Sequence, residues 1–427
     1  MNRAIVAILA AGVLLAGCAS EGGAPTSGST EPGASEQVPH GYVEGAEEMA
    51  EPQLRLVLSD GETGKAHVLD LLTAQTAEVT AAAAGESTAT AAAAGESTPP
   101  AGVAESPAAP GSSGTAESVR EITSDGRYAY LTTGSGTLRV IDSGGWTVDH
   151  GDHVHYYRAA TRDLGTIAGS PPYDVTGDAA ITAVRSGDGT VRLFDRARMD
   201  QGELAETGRL AADAVVPYGE RLLVAHDGAV QARTRTGEPG TTVGSCADAA
   251  GTAVTRRGAV FGCADGALLV TGKDGEFEGV KIRYPRGTRE GERARTFLHR
   301  PGSSTLAAEA GERGIWVLDV TARTWRLLKT GPAVAVNATG DGTPVLAVTG
   351  DGVLHAYDPV TGKETAKARL LAGPPAGAVR IQVDTARAYV NDPAGKAVHE
   401  IDYNDDLRRA RTLRPGLAPA YMTETGR

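Results

Sequence analysis

The chain has 427 residues, with 53 acidic against 41 basic side chains and a formal net charge of −12. This acidic balance argues against a nucleic-acid-binding protein, because neutralising phosphates requires clustered lysine and arginine. Hydrophobic residues make up 41% of the chain, which is enough for a packed core and excludes wholesale disorder. We therefore expect a folded protein with no nucleic-acid partner.

Residues 1–17 have the pattern of a lipoprotein signal peptide. A short positive start, Met1-Asn2-Arg3, precedes an apolar run that is about half as long as a membrane-spanning helix. The run ends in Leu15-Ala16-Gly17-Cys18, which resembles a bacterial lipobox, so Cys18 is the expected lipidation site. The alternative is an ordinary secretory signal with an incidental cysteine. Both readings place the protein outside the cytoplasm, and lipidation anchors it to the cell membrane.

Two segments have the composition of chain that forms no core. Residues 18–50 are rich in Gly, Ser, Pro, Glu and Thr, which predicts a flexible tether that starts at the lipidated cysteine. Residues from about 80 to 116 are rich in Ala, Glu, Ser and Pro and contain the segment TAAAAGEST twice. We interpret this tract as a disordered insertion within a single domain that covers residues 51–427.

A repeated hairpin pattern follows the tether. A short β-rich run is followed by a turn, often Asp-Gly, and then by a second run that often ends in Asp; Asp-Gly supplies the positive φ values of tight hairpins. The pairs are Leu54–Leu58 with Ala66–Asp70, Tyr128–Thr132 with Thr137–Asp142, Ile181–Arg185 with Thr190–Asp195, Leu222–His226 with Ala229–Thr234, Ala259–Cys263 with Ala267–Thr271, Leu306–Ala310 with Gly314–Asp319, Val345–Thr349 with Val353–Asp358, and Ala388–Asn391 with Ala397–Asp402.

The spacing of these hairpins predicts an all-β fold. From Tyr128 onward they recur at roughly 37 to 53 residues, the range of a four-stranded propeller blade, and the longer first interval contains the insertion. Eight hairpins predict a β-propeller of eight four-stranded blades, with seven blades as the fallback. A β-sandwich with decorations is the alternative. In a propeller we expect functional residues on loops near the central channel.

A cluster of three histidines is the strongest functional signal. His150, His153 and His155 occur within six residues, together with Asp152. His153 and His155 are two apart, so on a strand they point to one face, and His150 precedes them by a Gly-Asp turn that can fold it back. Neutral imidazole suits Zn²⁺, and the carboxylate can ligate the ion or orient a ring. A polar solvent-facing loop and a catalytic histidine base are the alternatives.

The remaining candidates are fewer. Cys246 and Cys263 are the only cysteines after Cys18, and an oxidising exterior favours a disulfide between them, with a metal-binding pair as the alternative. His299 lies in a predicted loop between blades that can face the channel. The sequence has no GxSxG, HExxH, P-loop or CxxC motif, so we expect a protein without enzymatic activity.

Several segments together resemble the AztD-type zinc metallochaperones, which are extracytoplasmic β-propellers. The resemblance rests on the histidine cluster through Arg158, on Val260–Gly266 with Cys246 before it, and on the segment from Val398 to Leu413. It covers most of the chain after about Leu54, apart from the insertion.

This resemblance implies a function in zinc delivery. Members of the family pass Zn²⁺ to the solute-binding protein of a zinc ABC importer, so zinc is bound cargo and the solute-binding protein is the expected partner. The implied ligands here are His150, His153 and His155 with Asp152. We expect a monomer anchored to the membrane. The rival hypothesis is a non-catalytic propeller that serves as an interaction scaffold and has lost zinc binding.

Overall fold

Nine antiparallel sheets make up the structure, a computed structural model that describes residues 41–80, 117–150, 153–375 and 378–427. Seven sheets have four strands and two have three. Eight of them are the blades of a propeller, and the ninth is a small side sheet attached to blade 2.

The strands are numbered along the chain, and those of blades 1 to 4 and the side sheet come first. They are β1 (Glu47–Met49), β2 (Arg55–Ser59), β3 (Ala66–Asp70), β4 (Thr76–Glu78), β5 (Val119–Ser124), β6 (Tyr128–Thr133), β7 (Leu138–Asp142), β8 (Gly145–Asp149), β9 (Val154–Arg158), β10 (Arg162–Ile167), β11 (Asp174–Gly177), β12 (Ile181–Arg185), β13 (Thr190–Asp195), β14 (Glu206–Ala211), β15 (Ala214–Tyr218), β16 (Arg221–His226), β17 (Ala229–Arg233) and β18 (Thr241–Ser245).

The strands of blades 5 to 8 follow, with the last strand of the chain. They are β19 (Thr252–Thr255), β20 (Gly258–Cys263), β21 (Gly266–Lys273), β22 (Glu276–Arg283), β23 (Thr305–Glu309), β24 (Ile315–Asp319), β25 (Thr324–Leu328), β26 (Ala333–Ala338), β27 (Val345–Thr349), β28 (Val353–Tyr357), β29 (Glu364–Arg369), β30 (Ile381–Val383), β31 (Ala388–Asp392), β32 (Ala397–Asp402), β33 (Arg408–Leu413) and β34 (Tyr421–Thr425). Three short helical segments complete the described elements, namely an α-helix at Arg196–Asp200 and 3₁₀ turns at Glu290–Glu292 and Gly311–Arg313.

Most blades are meanders of strands that follow one another in the chain and are joined by short turns. Blade 2 has the order β5-β6-β7-β10. Blades 3, 4, 5, 7 and 8 run in simple sequence order, as β11 to β14, β15 to β18, β19 to β22, β26 to β29 and β30 to β33. Asp227 and Gly228 join β16 to β17 with φ values of 49° and 75°, so both turn residues adopt the positive φ that a two-residue type I′ hairpin requires. The Asp-Gly pattern therefore formed the turn that the sequence predicted at this position.

Apolar contacts between neighbouring blades form the core. Eight clusters of buried residues each join two successive blades. The middle strands are buried on both faces, as in β6, whereas outer strands such as β14 are mostly exposed. Each fully buried Leu or Val side chain contributes roughly 1.5–3 kcal/mol, so the stability of the ring is distributed around its circumference.

The two ends of the propeller sequence meet in blade 1. Its strand order is β34-β2-β3-β4, so the last strand of the chain pairs with the first long one, with Thr425 opposite Arg55. Leu56 and Leu58 of blade 1 pack with Tyr389 and Val398 of blade 8 in the cluster that closes the ring. The prediction of an all-β propeller with eight blades is confirmed.

Blade 6 departs from the predicted four strands. It contains the sheet β23-β24-β25, and its innermost segment makes only isolated bridges, Leu298 with Ala307 and His299 with Ala338. The backbone N–H of Leu298 donates to Ala307 and that of Ala307 donates back. The fourth strand is thus reduced to single bridges.

The side sheet has the order β1-β9-β8. The β8–β9 hairpin is inserted between the third and fourth strands of blade 2, and β1 pairs with β9 along Glu47–Met49. This pairing corrects the predicted tether of residues 18–50, whose last residues form a strand. No pattern in the sequence indicates this strand, because β1 has no alternation of apolar residues and forms by pairing with β9, a strand far along the chain.

The signal peptide, Cys18, the remainder of the tether, almost all of the insertion and Asp152 lie outside the described residues. No helix in the described ranges has the length and apolar character needed to span a membrane.

Candidate metal site

The register of the β8–β9 hairpin brings the three histidines to one face. Trp146 pairs with Tyr157 and Val148 with His155, and the backbone N–H of His150 donates to the carbonyl oxygen of His153 at 3.0 Å. Val148 and His155 are paired, so their side chains lie on one face of the hairpin. Side chains two apart along a strand share a face, which adds His150 on the Val148 side and His153 on the His155 side. The strand register therefore places His150 opposite His153, as the sequence predicted.

The three imidazole rings lie in contact with one another. The centroids of His150 and His153 are 4.7 Å apart in a stacked arrangement, and His155 stands edge-on to both at 5.2 and 5.0 Å. One nitrogen from each ring lies within 4.8 Å of the others. Bonds of about 2.0–2.1 Å place two nitrogens of a tetrahedral zinc site about 3.4 Å apart, so the rings would have to rotate towards one another to hold an ion.

Glu48 is the residue at this site that sequence reasoning missed. Its Oε1 lies 2.6 Å from Nδ1 of His155, although the two residues are 107 positions apart. Glu48 stands opposite Tyr157 across the β1–β9 ladder, and His155 is two residues from Tyr157, so the two side chains are diagonal neighbours on one face. The only local signal is the acidic pair Glu47-Glu48, which is uninformative without the strand pairing.

A column of stacked groups attaches the hairpin to blade 2. The ring of His155 stacks on Tyr157, Tyr157 stacks on Trp146 at 5.3 Å, and the guanidinium of Arg127 lies 3.8 Å over the Trp146 ring. Burial, with the Glu48 carboxylate adding to it, raises the pKa of the Tyr157 phenol, which stays neutral. Within the histidine cluster, His150 and His153 are thus exposed, whereas His155 is held by its stacking on Tyr157.

A network of ion pairs holds Arg127, the residue of this column that belongs to blade 2. Arg127 pairs with Asp142 at 3.1 Å and with Asp200 at 2.9 Å, and Arg162 reaches Asp142 at 2.7 Å. Burial favours the neutral acid, but Arg127, Arg162 and the Gly144 N–H hold the pKa of Asp142 below its usual range. The Asp142 carboxylate is therefore ionised and has hydrogen-bond partners, and its ion pair holds Arg127 against the Trp146 indole.

The central channel is a separate region. A cavity of about 560 Å³ is lined by residues of seven blades and includes His299, Asn337 and Glu424, but none of the three clustered histidines. Nε2 of His299 lies 3.1 Å from the Val254 carbonyl oxygen, and burial lowers the pKa of His299 to about 4. The predicted position of His299 at the channel agrees with the structure, whereas the metal-site candidate lies on the inserted hairpin.

The structure joins Cys246 and Cys263 by a disulfide with a Cα–Cα distance of 5.0 Å. Cys246 follows the outer strand of blade 4 and Cys263 ends the second strand of blade 5, so the bond ties two neighbouring blades. Both residues are about 1% exposed and belong to the apolar cluster that those blades share.

No protein-family model matches the sequence, and no curated protein matches it. Among solved structures, apo AztD from Citrobacter koseri is similar to this chain with a TM-score of 0.67 and 16% identity, covering 88% of this chain and 98% of that one. A second structure of Citrobacter koseri AztD gives a TM-score of 0.66 and 17% identity over 88% and 98% of the two chains.

A more distant likeness, with a TM-score of 0.54 and 15% identity, is to the dihydro-heme d1 dehydrogenase NirN in complex with DHE, over 88% of this chain and 76% of that one. The chain therefore has an AztD-type propeller fold.

Proposed function

We propose that this protein is an extracytoplasmic zinc metallochaperone that binds Zn²⁺ at His150, His153 and His155 and passes it to the solute-binding protein of a zinc ABC importer. The observation that carries the proposal is the convergence of the three rings on one face of a hairpin. The AztD-type fold supports it, because the sequence resembles the zinc metallochaperones of that name. The proposal assigns no catalytic step to the site.

The chemistry of the site suits a cargo ion. Three neutral imidazoles are ligands that zinc accepts, and Ca²⁺ and Mg²⁺ require oxygen ligands instead. His150 and His153 are exposed and His155 is half-buried, so an acceptor protein can reach the ion. A site with three protein ligands leaves a coordination position through which an incoming ligand can attack.

The same proposal places the protein outside the cytoplasm as a membrane-anchored monomer. Its support is the order of charge, apolar run and lipobox before Cys18 in the sequence. A tether that begins at the membrane and leads into β1 would keep the metal site within reach of an importer in the same membrane.

Zinc competition with a chromophoric chelator tests the site. Full-length protein in detergent should bind zinc more tightly than about 1 µM, and a His153→Ala/His155→Ala variant should lose at least about a hundredfold in affinity. The thermal midpoint without metal should remain nearly unchanged, because the hairpin is held by the Trp146–Tyr157 stack. Affinity of the wild type should also fall as the pH is lowered, since protons compete with zinc for imidazole.

The matched control is a His226→Ala/His355→Ala variant, which removes two histidines from blades 4 and 7 and should bind zinc as the wild type does. Loaded protein mixed with the metal-free solute-binding protein should then transfer the ion. If the wild type binds zinc no tighter than about 1 µM, or if both double variants bind equally, the chaperone proposal fails and the interaction scaffold takes its place.

A further inference from the structure

The contact between Glu48 and His155 specifies which nitrogen of the ring carries a proton. An ionised carboxylate only accepts hydrogen bonds, so the proton between Glu48 Oε1 and His155 Nδ1, 2.6 Å apart, belongs to the imidazole. With Nδ1 protonated and the ring neutral, Nε2 carries the lone pair that binds a metal. We propose that Glu48 is a positioning residue of the zinc site, which holds His155 in this tautomer and orientation; this inference rests on the proposed function.

The position of Glu48 argues against a role in stability alone. Its side chain is 47% exposed, and exposed ion pairs contribute little to the free energy of unfolding. The pairing of β1 with β9 is made by backbone groups and does not need the carboxylate. By contrast, a carboxylate that accepts the second N–H of a ligating histidine typically changes metal affinity by about 10–100-fold.

Two other carboxylates provide matched controls. Glu47 is on the same strand and stands opposite Arg158, so its side chain points to the other face, and its loss removes the same charge. Glu364 makes the same type of contact with a histidine, Oε2 to Nδ1 of His355 at 2.7 Å, but in blade 7. Glu47→Ala thus measures the effect of charge near the site, and Glu364→Ala the effect of losing such a contact elsewhere.

Zinc affinity of the full-length variants tests the proposal. Glu48→Ala should bind zinc about tenfold or more weakly than the wild type, and Glu48→Gln, which keeps an acceptor oxygen, should lose less. Glu47→Ala and Glu364→Ala should each weaken zinc binding by less than about threefold, because neither removes a partner that orients a ligating histidine. Thermal midpoints without metal should agree among all four variants, which separates positioning from a structural role.

The tautomer of His155 is a second, metal-free readout. In the wild type at about pH 8, where imidazole is neutral, ¹⁵N NMR of labelled histidines should show His155 protonated at Nδ1, and Glu48→Ala should shift it towards the Nε2-protonated form. Equal zinc affinities of Glu48→Ala and Glu47→Ala, or an Nε2-protonated ring in the wild type, would overturn the inference while leaving zinc binding intact. A wild type that binds no zinc would overturn both proposals.

Discussion

The surroundings of His299 act strongly on the charge of its ring. It lines the central cavity, and burial lowers its pKa to about 4, against an opposing contribution from the Val254 carbonyl. The positive charges of Arg427 and Arg300 add to the effect of burial, whereas Asp341 opposes it. The fold therefore holds the ring neutral at pH values where a histidine in an unfolded chain, with a pKa of about 6.5, takes up a proton.

This difference predicts an acid sensitivity with a defined sign. Above about pH 6.5 the ring is neutral in both states, and between about 6.5 and about 4 only the unfolded chain binds the proton, so the free energy of unfolding falls as the pH falls. His299→Gln should lose less stability between about pH 7 and about pH 5 than the wild type. Thermal midpoints at both pH values, with a chelator present, measure it.

His226→Gln is the control for this experiment, because its side chain is 40% exposed at a hairpin turn. Its pH dependence should equal that of the wild type. A His299→Gln protein that loses as much stability as the wild type on acidification would contradict the assignment.

At the scale of elements, the disulfide stabilises a boundary between two blades that are joined by no strand pairing in the described residues. Cys246 and Cys263 are buried where blades 4 and 5 share an apolar cluster. The strands of those two blades pair only within their own sheets, so this boundary depends on side-chain packing and on the covalent bond. Closing the 17-residue separation stabilises the fold by about 3 kcal/mol in the chain-entropy model.

Cys246→Ala/Cys263→Ala should therefore lower the free energy of unfolding by about 3 kcal/mol, measured by chemical denaturation. The pairing itself is checked by intact mass after alkylation. Protein treated without reductant should carry no label on either cysteine, and reduced, unfolded protein should carry both. Two labelled thiols without reductant would disprove the disulfide and restore the metal-binding alternative for these residues.

At the scale of the whole molecule, the propeller is a ring closed by β34 and extended at one point by the side sheet. The metal-site candidate lies on that extension, and β1, the first described strand, is part of it. The chain that leads from the proposed lipid anchor therefore joins the molecule directly at the side sheet.

The anchor is tested by Cys18→Ser, which removes the thiol required for a thioether. The variant should incorporate no labelled palmitate and should leave the membrane fraction, while its zinc affinity after purification stays at the wild-type value. Label in the variant equal to that of the wild type would refute lipidation at this residue, and the ordinary secretory signal would remain.

Local patterns in the sequence determined much of this protein. Asp-Gly turns between apolar runs specified the hairpins, and their count specified eight blades, because turn geometry and strand period are properties of neighbouring residues. The same period of two placed His153 and His155 on one face. Their convergence with His150 then needed only the short turn between them.

Tertiary structure alone decided the rest. Glu48 reaches His155 across 107 residues of chain, β34 closes blade 1, and His299 loses its ordinary pKa in a cavity that seven blades build together. None of these features has a periodic signature, since each depends on which distant segments the ring brings into contact. The sequence by itself therefore determined the repeated unit and the grouping of the three histidines, and pairing between distant segments decided which residues lie next to them.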